Sequence, residues 1–371
     1  MFPPQLAHVM IRWLTKPDDL VYDPFCGRGT VGLEAALLGR RALMSDANPL
    51  AQALAAAKVQ IPSATRAHRR LRELRVGYAA GVEDLVETPE SIRMLYTDET
   101  LRQLLYLRRE LRAGPADVLL RAVVLGMLHG GHSAAGATRG FSISMPNTFA
   151  MAPAYVERYI SKHGLVAPEC DVFAMLELRL ARLQLPSTTL DCGRSWAQDA
   201  TAPIAMEERP KLVLTSPPYL QVISYGKYNW VRLWFLGAEA TSVDRALCTT
   251  SSLPRYLVFM ESVLLSLRDV VAEDGYVALV IGDVRRGEQQ LDLAAAVRDS
   301  VALPAGWHDH GTLIDRLPTR HKVSRIWKQQ SGRATKTDRI LLLSPRAVEL
   351  PPLSPIRWTL PSFAHPAGAV P

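Results

Sequence analysis

Residues Asp23 to Gly32 read DPFCGRGTVG, and this segment decides the fold class of the chain. The apolar residues before it are typical of a short buried strand, which we expect over Asp19–Tyr22. A helix rich in leucine and alanine follows and stops near Gly39. Glycine permits a positive φ and a close approach of the backbone to a ligand, and a helix N-terminus offers free N–H groups. The segment therefore predicts a strand, a tight turn and a helix gathered around a ligand.

The alternation of strand and helix continues beyond this segment. RALMSDANP predicts a second strand that ends on an acid, Asp46, and LAQALAAAKV predicts a second helix. After residue 190 the same rhythm returns, with a long helix over Leu253–Val271 and strands in YVALVIGDV and DRILLLSP. Strands that alternate with helices form a mainly parallel, doubly wound sheet. We therefore expect an α/β, Rossmann-like fold.

Between these two α/β parts the pattern is helical. Residues 63–189 contain several amphipathic or buried helices and a Gly/Ser-rich stretch, HGGHSAAGATRGFSISMPNTF. A crossover between two strands needs far fewer residues. We predict a catalytic domain in two parts, 1–62 and 190–345, interrupted by a mostly helical insertion at 63–189. A proline-rich, irregular tail is expected at 346–371.

Composition limits the class of protein. The 371 residues are 48% hydrophobic, and the formal net charge of +7 fits a polyanionic partner. No apolar stretch is long enough to span a bilayer, and MFPPQLAHVMIRWL lacks the basic region and cleavage site of a secretion signal. The four cysteines are far apart, and the histidines of HGGH (His129 and His132) have no acid or cysteine nearby. We expect a cytoplasmic protein without a metal, a disulfide framework or a membrane segment.

The glycine segment also has a spacing typical of nucleotide binding. Gly27, Gly29 and Gly32 match G-x-G-x-x-G, and Asp46 at the end of the next strand is placed to accept the two hydroxyls of a ribose. Both a dinucleotide and S-adenosylmethionine contain such a ribose. The segment alone leaves both cofactors open, and the acid downstream disfavours a glycine turn that merely connects strand to helix.

A second unusual segment, TSPPYL, directly follows the apolar run KLVL. Its two prolines fix φ and remove N–H donors, so the chain cannot continue as a sheet strand there. The prolines would hold a hydroxyl, a carbonyl and an aromatic ring rigidly at the end of a buried strand. We call residues 216–219 of this segment, SPPY, the knuckle.

Together, DPFCGRGT and TSPPY resemble the two motifs of the amino-group DNA methyltransferases, in particular the site-specific enzymes that methylate cytosine N4. The resemblance covers residues 1–62 and 190–345, and FPPQLAHVMI is similar to the family's N-terminal cofactor helix. It implies a class I methyltransferase fold and S-adenosylmethionine as cofactor, because a dinucleotide enzyme has no use for TSPPY. Asp46 would hold the ribose and Asp199 would lie near the adenine. The cofactor residues that it implies are Asp23, Pro24, Phe25, Gly27, Gly29, Thr30, Asp46, Asp199 and Thr215.

The resemblance also implies that the knuckle carries the chemistry, through Ser216, Pro217, Pro218 and Tyr219. An exocyclic amine of a base is a poor nucleophile because its lone pair is delocalised into the ring. Rigid acceptors for its two N–H groups, the Pro217 carbonyl and the Ser216 side chain, would free that lone pair. Tyr219 would stack on a base flipped out of double-stranded DNA. Family members with serine at the first position mostly methylate cytosine N4, and adenine N6 or an RNA target are the alternatives.

The segment Arg316–Arg339 carries eight lysines and arginines and one acid. Such side chains contact phosphates and position a protein on a duplex. We predict DNA contacts from Arg320, Lys322, Arg325, Lys328 and Arg333. The insertion between the two motifs is predicted to recognise the target sequence. A modification enzyme of this kind acts in the bacterial or archaeal cytoplasm, and a separately encoded restriction endonuclease is a candidate partner.

Overall fold

The chain is built around one large β-sheet. A computed structural model describes residues 3–130, 140–143, 151–218, 220, 224–286, 289–316 and 334–353. The strands within these ranges are β1 (Leu20–Asp23), β2 (Arg41–Asp46), β3 (Gln60–Ile61), β4 (Leu190–Asp191), β5 (Gly193–Ala197), β6 (Leu212–Thr215), β7 (Tyr276–Arg286), β8 (Gln289–Leu291), β9 (His308–Arg316) and β10 (Ala334–Ser344).

The order of the strands defines the fold class. The main sheet runs β5-β2-β1-β6-β7-β10-β9, and β8 pairs with β7. β5, β2, β1, β6 and β7 are parallel, whereas β10 lies antiparallel between β7 and β9. The chain therefore winds outward from β1 in both directions. This is the mainly parallel, doubly wound, Rossmann-like arrangement that the sequence predicts, and the prediction of the fold is confirmed.

Helices cover both faces of the sheet and form a separate layer beside it. They are α1 (Pro4–Leu14), α2 (Thr30–Leu37), α3 (Pro49–Val59), α4 (Ala64–Gly77), α5 (Glu90–Arg93), α6 (Asp98–Glu110), α7 (Pro115–Met127), α8 (Pro153–His163), α9 (Val172–Leu180), α10 (Tyr225–Tyr228), α11 (Trp230–Phe235), α12 (Ala240–Ala246), α13 (Leu253–Val270) and α14 (Leu293–Val297), followed by a π-helical turn at Arg298–Ala302. No helix in the described part of the chain is long and apolar enough to cross a membrane.

The central strands are apolar on both sides because helices cover both faces. Every residue of β1 and β6 is buried. Side chains of a strand alternate between the two faces. Val21 accordingly packs with α1, α2 and α3, whereas its neighbour Tyr22 packs with α13. A strand buried on both faces reads as a continuous apolar run, which is why LVY and KLVL identify the two central strands.

The helical layer has its own hydrophobic core. Buried side chains of α4, α6, α7 and α9 form this core, and Trp230, Phe235 and Val243 from α11 and α12 join them. The chain enters and leaves residues 63–189 through the short antiparallel pair β3–β4, in which Ile61 pairs with Leu190. The core of the helical layer therefore combines segments from both sides of the knuckle in sequence.

Two predicted boundaries differ slightly from the observed ones. β1 begins at Leu20 and extends to Asp23, because Asp23 still pairs with Met44 of β2. The long helix α13 ends at Val270. Residues 345–353 of the tail contain no helix or strand. They pack on the sheet through hydrogen bonds to the Glu349 and Pro351 carbonyls, which accept from Tyr276 and Trp13 at 2.8 Å each.

The edge strand β5 depends on a close approach at Gly193. A Cβ atom at this position would lie 1.8 Å from the carbonyl oxygen of Ala42, its partner on β2. We expect Gly193→Ala to lower the free energy of unfolding by about 3 kcal/mol or more, because the backbone of β2 cannot move away without breaking the pair. Urea denaturation followed by circular dichroism measures this change.

Gly126→Ala is the matched control. Gly126 lies in α7, and a Cβ atom there would meet nothing within 4 Å. The same substitution should therefore raise stability by about 0.5–1 kcal/mol, because alanine favours a helix interior. Equal stabilities of the Gly193→Ala protein and the wild type would contradict the close approach of β5 to β2.

Candidate active site

The carboxyl ends of four parallel strands meet at one edge of the sheet. β1 ends on Asp23, β2 on Asp46, β5 on Ala197 and β6 on Thr215. In sheets of this class, ligands bind outside this edge, where the winding direction reverses. The structure thus brings the glycine segment, the acid after β2 and the start of the knuckle together. We call this edge the candidate active site.

The glycine segment forms a tight loop between β1 and α2. Gly27 and Gly29 have φ angles of +50° and +72°, which glycine adopts without strain. A Cβ atom at Gly29 would also lie 2.8 Å from the Cα atom of Ala55 in α3. Gly29 is therefore needed for the loop to pack on α3. A Cβ atom at Gly27 would meet only the Phe25 carbonyl, at 3.9 Å, so the conformation alone demands glycine there.

Asp46 fixes the position of this loop. One of its carboxylate oxygens accepts the Gly27 N–H at 3.0 Å, and the other accepts the Asn48 N–H at 2.9 Å. Asn48 in turn caps α3 by accepting the Leu50 N–H at 3.0 Å. Burial raises the pKa of Asp46 to about 6, although the two N–H groups oppose the rise. The predicted ribose acid thus lies directly against the glycine loop.

Asp23 connects the loop to the knuckle. Its Oδ1 atom accepts the hydroxyl of Thr215 at 2.6 Å and the N–H of Phe25 at 3.1 Å. Burial raises the pKa of Asp23 to about 7, and the two donors and the nearby Asp46 carboxylate modify the rise in opposite directions. A buried carboxylate requires such donors, since an unpaired one is costly. The two segments separated by 192 residues therefore share one acceptor oxygen.

The knuckle is anchored on both sides. Thr215 is fully buried in the sheet, Pro217 is buried, and Ser216 and Pro218 are half-buried. Leu220 is buried in the hydrophobic cluster that contains α13. Tyr219 lies outside the described residues, as do residues 221–223. Ser216 and the two prolines therefore sit at the end of β6 in a segment held by buried neighbours.

The remaining predicted cofactor residues surround the same edge. Pro24 is buried, Thr30 begins α2, and the half-buried ring of Phe25 lies 5.9 Å from the ring of Phe259. Asp199 is exposed, and its Oδ1 atom accepts the N–H and the hydroxyl of Thr201 at 2.9 and 2.8 Å. The preceding residue, Gln198, donates its N–H to the Asp46 carbonyl at 3.2 Å. Asp199 therefore directly follows Gln198, whose N–H links the end of β5 to the end of β2.

The predicted phosphate contacts cannot be placed at this edge. Arg320, Lys322, Arg325, Lys328 and Arg333 all lie outside the described residues. The strands that flank this basic segment, β9 and β10, pair with each other at the far side of the sheet. The basic segment thus stays a prediction from sequence.

The structure also adds a residue that the sequence analysis missed. Tyr225 begins α10 and is half-exposed. Burial raises the pKa of Tyr225, the nearby Asp46 raises it further, and Arg28 of the glycine loop lowers it. Tyr225 therefore lies within electrostatic reach of the candidate active site. Asp46 and Arg28 are far from Tyr225 in sequence, so no local pattern indicates this neighbourhood.

The histidines of HGGH give no additional site within the described ranges. His129 is buried, and its Nδ1 atom lies 3.4 Å from the Ser142 hydroxyl, whereas His132 falls outside those ranges. Among the side chains that the structure describes, no three from His, Cys, Asp and Glu converge in a way that could hold a metal ion.

Comparison with known proteins supports a methyltransferase. Residues 1–57 match the family model described as a DNA methylase. This matching part contains α1, the glycine loop, Asp46 and most of α3. No curated protein matches the sequence.

Several solved structures are similar to the chain. TrmN from Thermus thermophilus is 12% identical with a TM-score of 0.36, and the match covers 92% of this chain and 49% of TrmN. The rRNA methyltransferase aviRa from Streptomyces viridochromogenes is 13% identical with a TM-score of 0.34, over 93% of this chain and 86% of that one. A candidate DNA modification methylase, also from Thermus thermophilus, is 19% identical with a TM-score of 0.24, over 42% of this chain and 53% of that one. This chain thus spans about half the length of TrmN, and similarity at this level does not transfer a substrate.

The buried carboxyl of Asp23 should make stability depend on pH. Its pKa of about 7 in the folded state lies above the ordinary value of 3.8, so the folded protein holds a proton that the unfolded chain has lost. Stability should therefore fall as pH rises from about 4 to about 7, by up to ~1.4 kcal/mol for each pH unit. Asp23→Asn should make this fall shallower. Its Oδ1 atom can keep both hydrogen bonds of Asp23, while the charge is gone. Urea denaturation at a series of pH values measures the slope.

Two further variants make this experiment specific. Asp191→Asn makes the same chemical change at an exposed position and should keep the wild-type slope. Thr215→Val removes the donor to Asp23 and should lower stability by about 1–3 kcal/mol, whereas Thr215→Ser should not. A wild-type slope in Asp23→Asn would show that another group carries the proton.

Proposed function

We propose that this protein is an S-adenosylmethionine-dependent DNA methyltransferase that methylates the exocyclic N4 of cytosine. The observation that carries the proposal is the shared Asp23 oxygen, which joins the glycine loop to Thr215, the residue directly before the knuckle. A methyl donor and an amine acceptor must meet at one place, since alignment of the reacting atoms supplies much of the rate. A loop for the donor and a knuckle for the acceptor at one sheet edge meet this need.

The residues at the edge suit S-adenosylmethionine. The glycine loop leaves free space beside Gly27, and Asp46 next to it can accept hydrogen bonds from a ribose. Asp199 follows the end of β5, where the adenine would lie. When bound, the cofactor supplies a methyl group activated by a positively charged sulfur. The buried carboxyls of Asp23 and Asp46 place negative charge near that positive group, which favours binding of a cationic ligand.

At the knuckle, the protein would prepare the amine for attack. The Pro217 carbonyl and the Ser216 side chain would accept the two N–H bonds of the target base. This draws electron density onto the nitrogen and frees its lone pair. The burial of Thr215 and Pro217 supports the proposal, because acceptors that are already fixed in place need no reorganisation during the reaction. Tyr219 would stack on the flipped base, and the amine proton can leave to water after transfer, so no strong base is required.

Cytosine is the proposed base because of Ser216. Its resemblance to the serine-type knuckle of the N4-cytosine enzymes supports this choice. A hydroxyl can donate as well as accept, which suits a cytosine edge with its neighbouring N3 acceptor. Adenine N6 and an RNA base are the alternatives, and the identity of the methylated nucleoside distinguishes between them.

The partner we propose is double-stranded DNA. The match of residues 1–57 to a DNA methylase model and the net charge of +7 support it. Residues 63–189 would recognise the target sequence, and the basic segment with Arg320, Lys322 and Arg325 would contact phosphates. In this role the protein would act in the cytoplasm, alone or with a separately encoded restriction endonuclease.

Asp46→Ala should weaken cofactor binding. The variant loses the ribose contact and the hydrogen bond that orders the glycine loop. We expect a loss of roughly 1–3 kcal/mol in binding free energy, measured by titration calorimetry with S-adenosylmethionine. Glu207→Ala, at an exposed position, should bind like the wild type. Unchanged affinity in Asp46→Ala, or tight NAD binding by the wild type, would overturn the cofactor assignment.

The methylated product tests the reaction itself. The purified protein, incubated with duplex DNA and S-adenosylmethionine, should yield N4-methylcytosine in mass spectrometry of the digested nucleosides. Ser216→Ala and Tyr219→Ala should lose the product by at least about 100-fold, the scale of losing one stabilising group, while cofactor affinity persists. N6-methyladenine as the main product would replace the cytosine assignment, and methylation of RNA alone would replace the DNA assignment.

A further inference from the structure

A second cleft lies where the helical layer meets the catalytic sheet. It has a volume of about 620 Å³ and is bounded by α3, the edge strand β5, the start of α7 and the end of α11. Its lining includes three arginines, Arg108, Arg121 and Arg194. No carboxylate lines it within the described residues. We call it the arginine cleft.

Two of the three arginines are held in place by other groups. The guanidinium of Arg108 lies 5.4 Å from the ring centre of Trp234. A Cβ atom at Gly237 would be 3.5 Å from Arg108 Nη2, so the guanidinium lies close to this glycine. Arg121 donates from Nη2 to the Arg112 carbonyl at 3.1 Å and also to the Leu111 carbonyl. These fixed guanidinium groups lose little freedom when they bind a ligand.

The third arginine and the floor come from the catalytic part of the chain. Arg194 is exposed on β5. Next to it, the Ser195 hydroxyl donates to the Gln52 carbonyl at 3.1 Å, and the Gln52 side chain donates to the Ser195 carbonyl at 3.3 Å. These bonds tie α3 to β5. The cleft therefore has a rigid floor and three cationic side chains from separate elements.

Three other arginines of the helical layer pair with acids. Arg70 pairs with Asp117 at 2.6 Å and Arg75 with Asp171 at 2.8 Å, and Arg109 pairs with Glu83. Burial lowers the pKa of Arg121, and Asp117 only partly offsets this effect. Acids are therefore available in this layer, yet none lines the cleft among the residues that the structure describes. Three guanidinium groups in one cleft repel each other, and an anion bound between them would offset this repulsion.

We propose that the arginine cleft binds a phosphate group, and that this phosphate belongs to the backbone of the nucleic-acid substrate. Guanidinium groups bind phosphate through paired, charge-assisted hydrogen bonds. The lining of the cleft includes Ser195, which lies two residues before Ala197, the β5 partner of Asp46, and two residues of strand span ~7 Å. It is therefore close enough to the candidate active site for a strand that enters there. The identification of the strand rests on the proposed function, whereas the phosphate chemistry does not.

A double variant, Arg108→Gln with Arg194→Gln, tests the cleft. Arg121 is left unchanged because its guanidinium donates to the Leu111 and Arg112 carbonyls. The matched control is Arg12→Gln with Lys16→Gln, which removes the same charge from exposed positions on α1 and just after it. Binding of a short duplex is measured by fluorescence anisotropy at several salt concentrations. Loss of one phosphate contact should reduce the salt slope by about 0.9 and weaken binding roughly fivefold at 0.15 M salt. The control should change neither as much.

Inorganic pyrophosphate provides an independent measurement. Calorimetry should detect its binding to the wild type and the control, and a loss of at least about tenfold in the Arg108→Gln/Arg194→Gln protein. Pyrophosphate loss with unchanged duplex binding would assign the cleft to a free phosphate and overturn the backbone assignment. Equal behaviour of the two double variants in both measurements would show that the arginine cleft binds no phosphate.

The two proposals can fail separately. Calorimetry with S-adenosylmethionine and thermal melting verify that the cleft variant keeps its cofactor site and its fold. If the wild type transfers no methyl group but the pyrophosphate result holds, the proposed function fails and the phosphate site stands. If methyl transfer to DNA occurs and neither phosphate nor duplex binding changes, the phosphate site fails alone.

Discussion

The hydrogen bond from the Thr215 hydroxyl to the Asp23 carboxylate is the contact on which the site depends. It joins the ends of β1 and β6, and the same oxygen accepts the Phe25 N–H of the glycine loop. A buried carboxylate needs such donors, so the position of the loop and the position of the knuckle cannot vary independently. Asp46 repeats the arrangement between β2 and the loop, with each oxygen bound to a different N–H. Asp23 and Asp46 thus fix the ends of β1, β2 and β6 around the glycine loop.

The helical layer is linked to this edge by the chain that follows the knuckle. Trp230, Phe235 and Val243 lie after the knuckle in sequence, yet they belong to the same core as α4, α6, α7 and α9. Packing in such a core is dense and transmits displacement. Any movement of the helical layer would therefore act on α11 and on residues 224–229 before it, which follow the knuckle in sequence. The hydrophobic core of the helical layer thus crosses the predicted domain boundary at residue 190.

The sequence allowed prediction of the features that depend on neighbouring residues. The strand, turn and helix around DPFCGRGTVG, the acid at the end of β2 and the strand before TSPPY all follow from local pattern and appear in the fold. The tight role of Gly29 against Ala55, the shared oxygen of Asp23 and the place of Tyr225 did not follow, because each depends on a partner far away in sequence. The arginine cleft is the clearest case: Arg108, Arg121 and Arg194 come from three elements and carry no common motif. Local pattern identifies elements, whereas only the topology shows which side chains they bring together.

The electrostatics of the site explain why it is built from buried acids. Ionising Asp23 and Asp46 costs the free protein stability, because burial raises both pKa values and the Asp46 charge raises that of Asp23 further. A cationic ligand at this edge would reverse that cost, since it favours the ionised forms. By linkage, such a ligand binds more tightly to the protein once the protons have left. Ionisation of the two buried acids is therefore unfavourable in the free protein, and a cationic ligand at this edge would offset that cost.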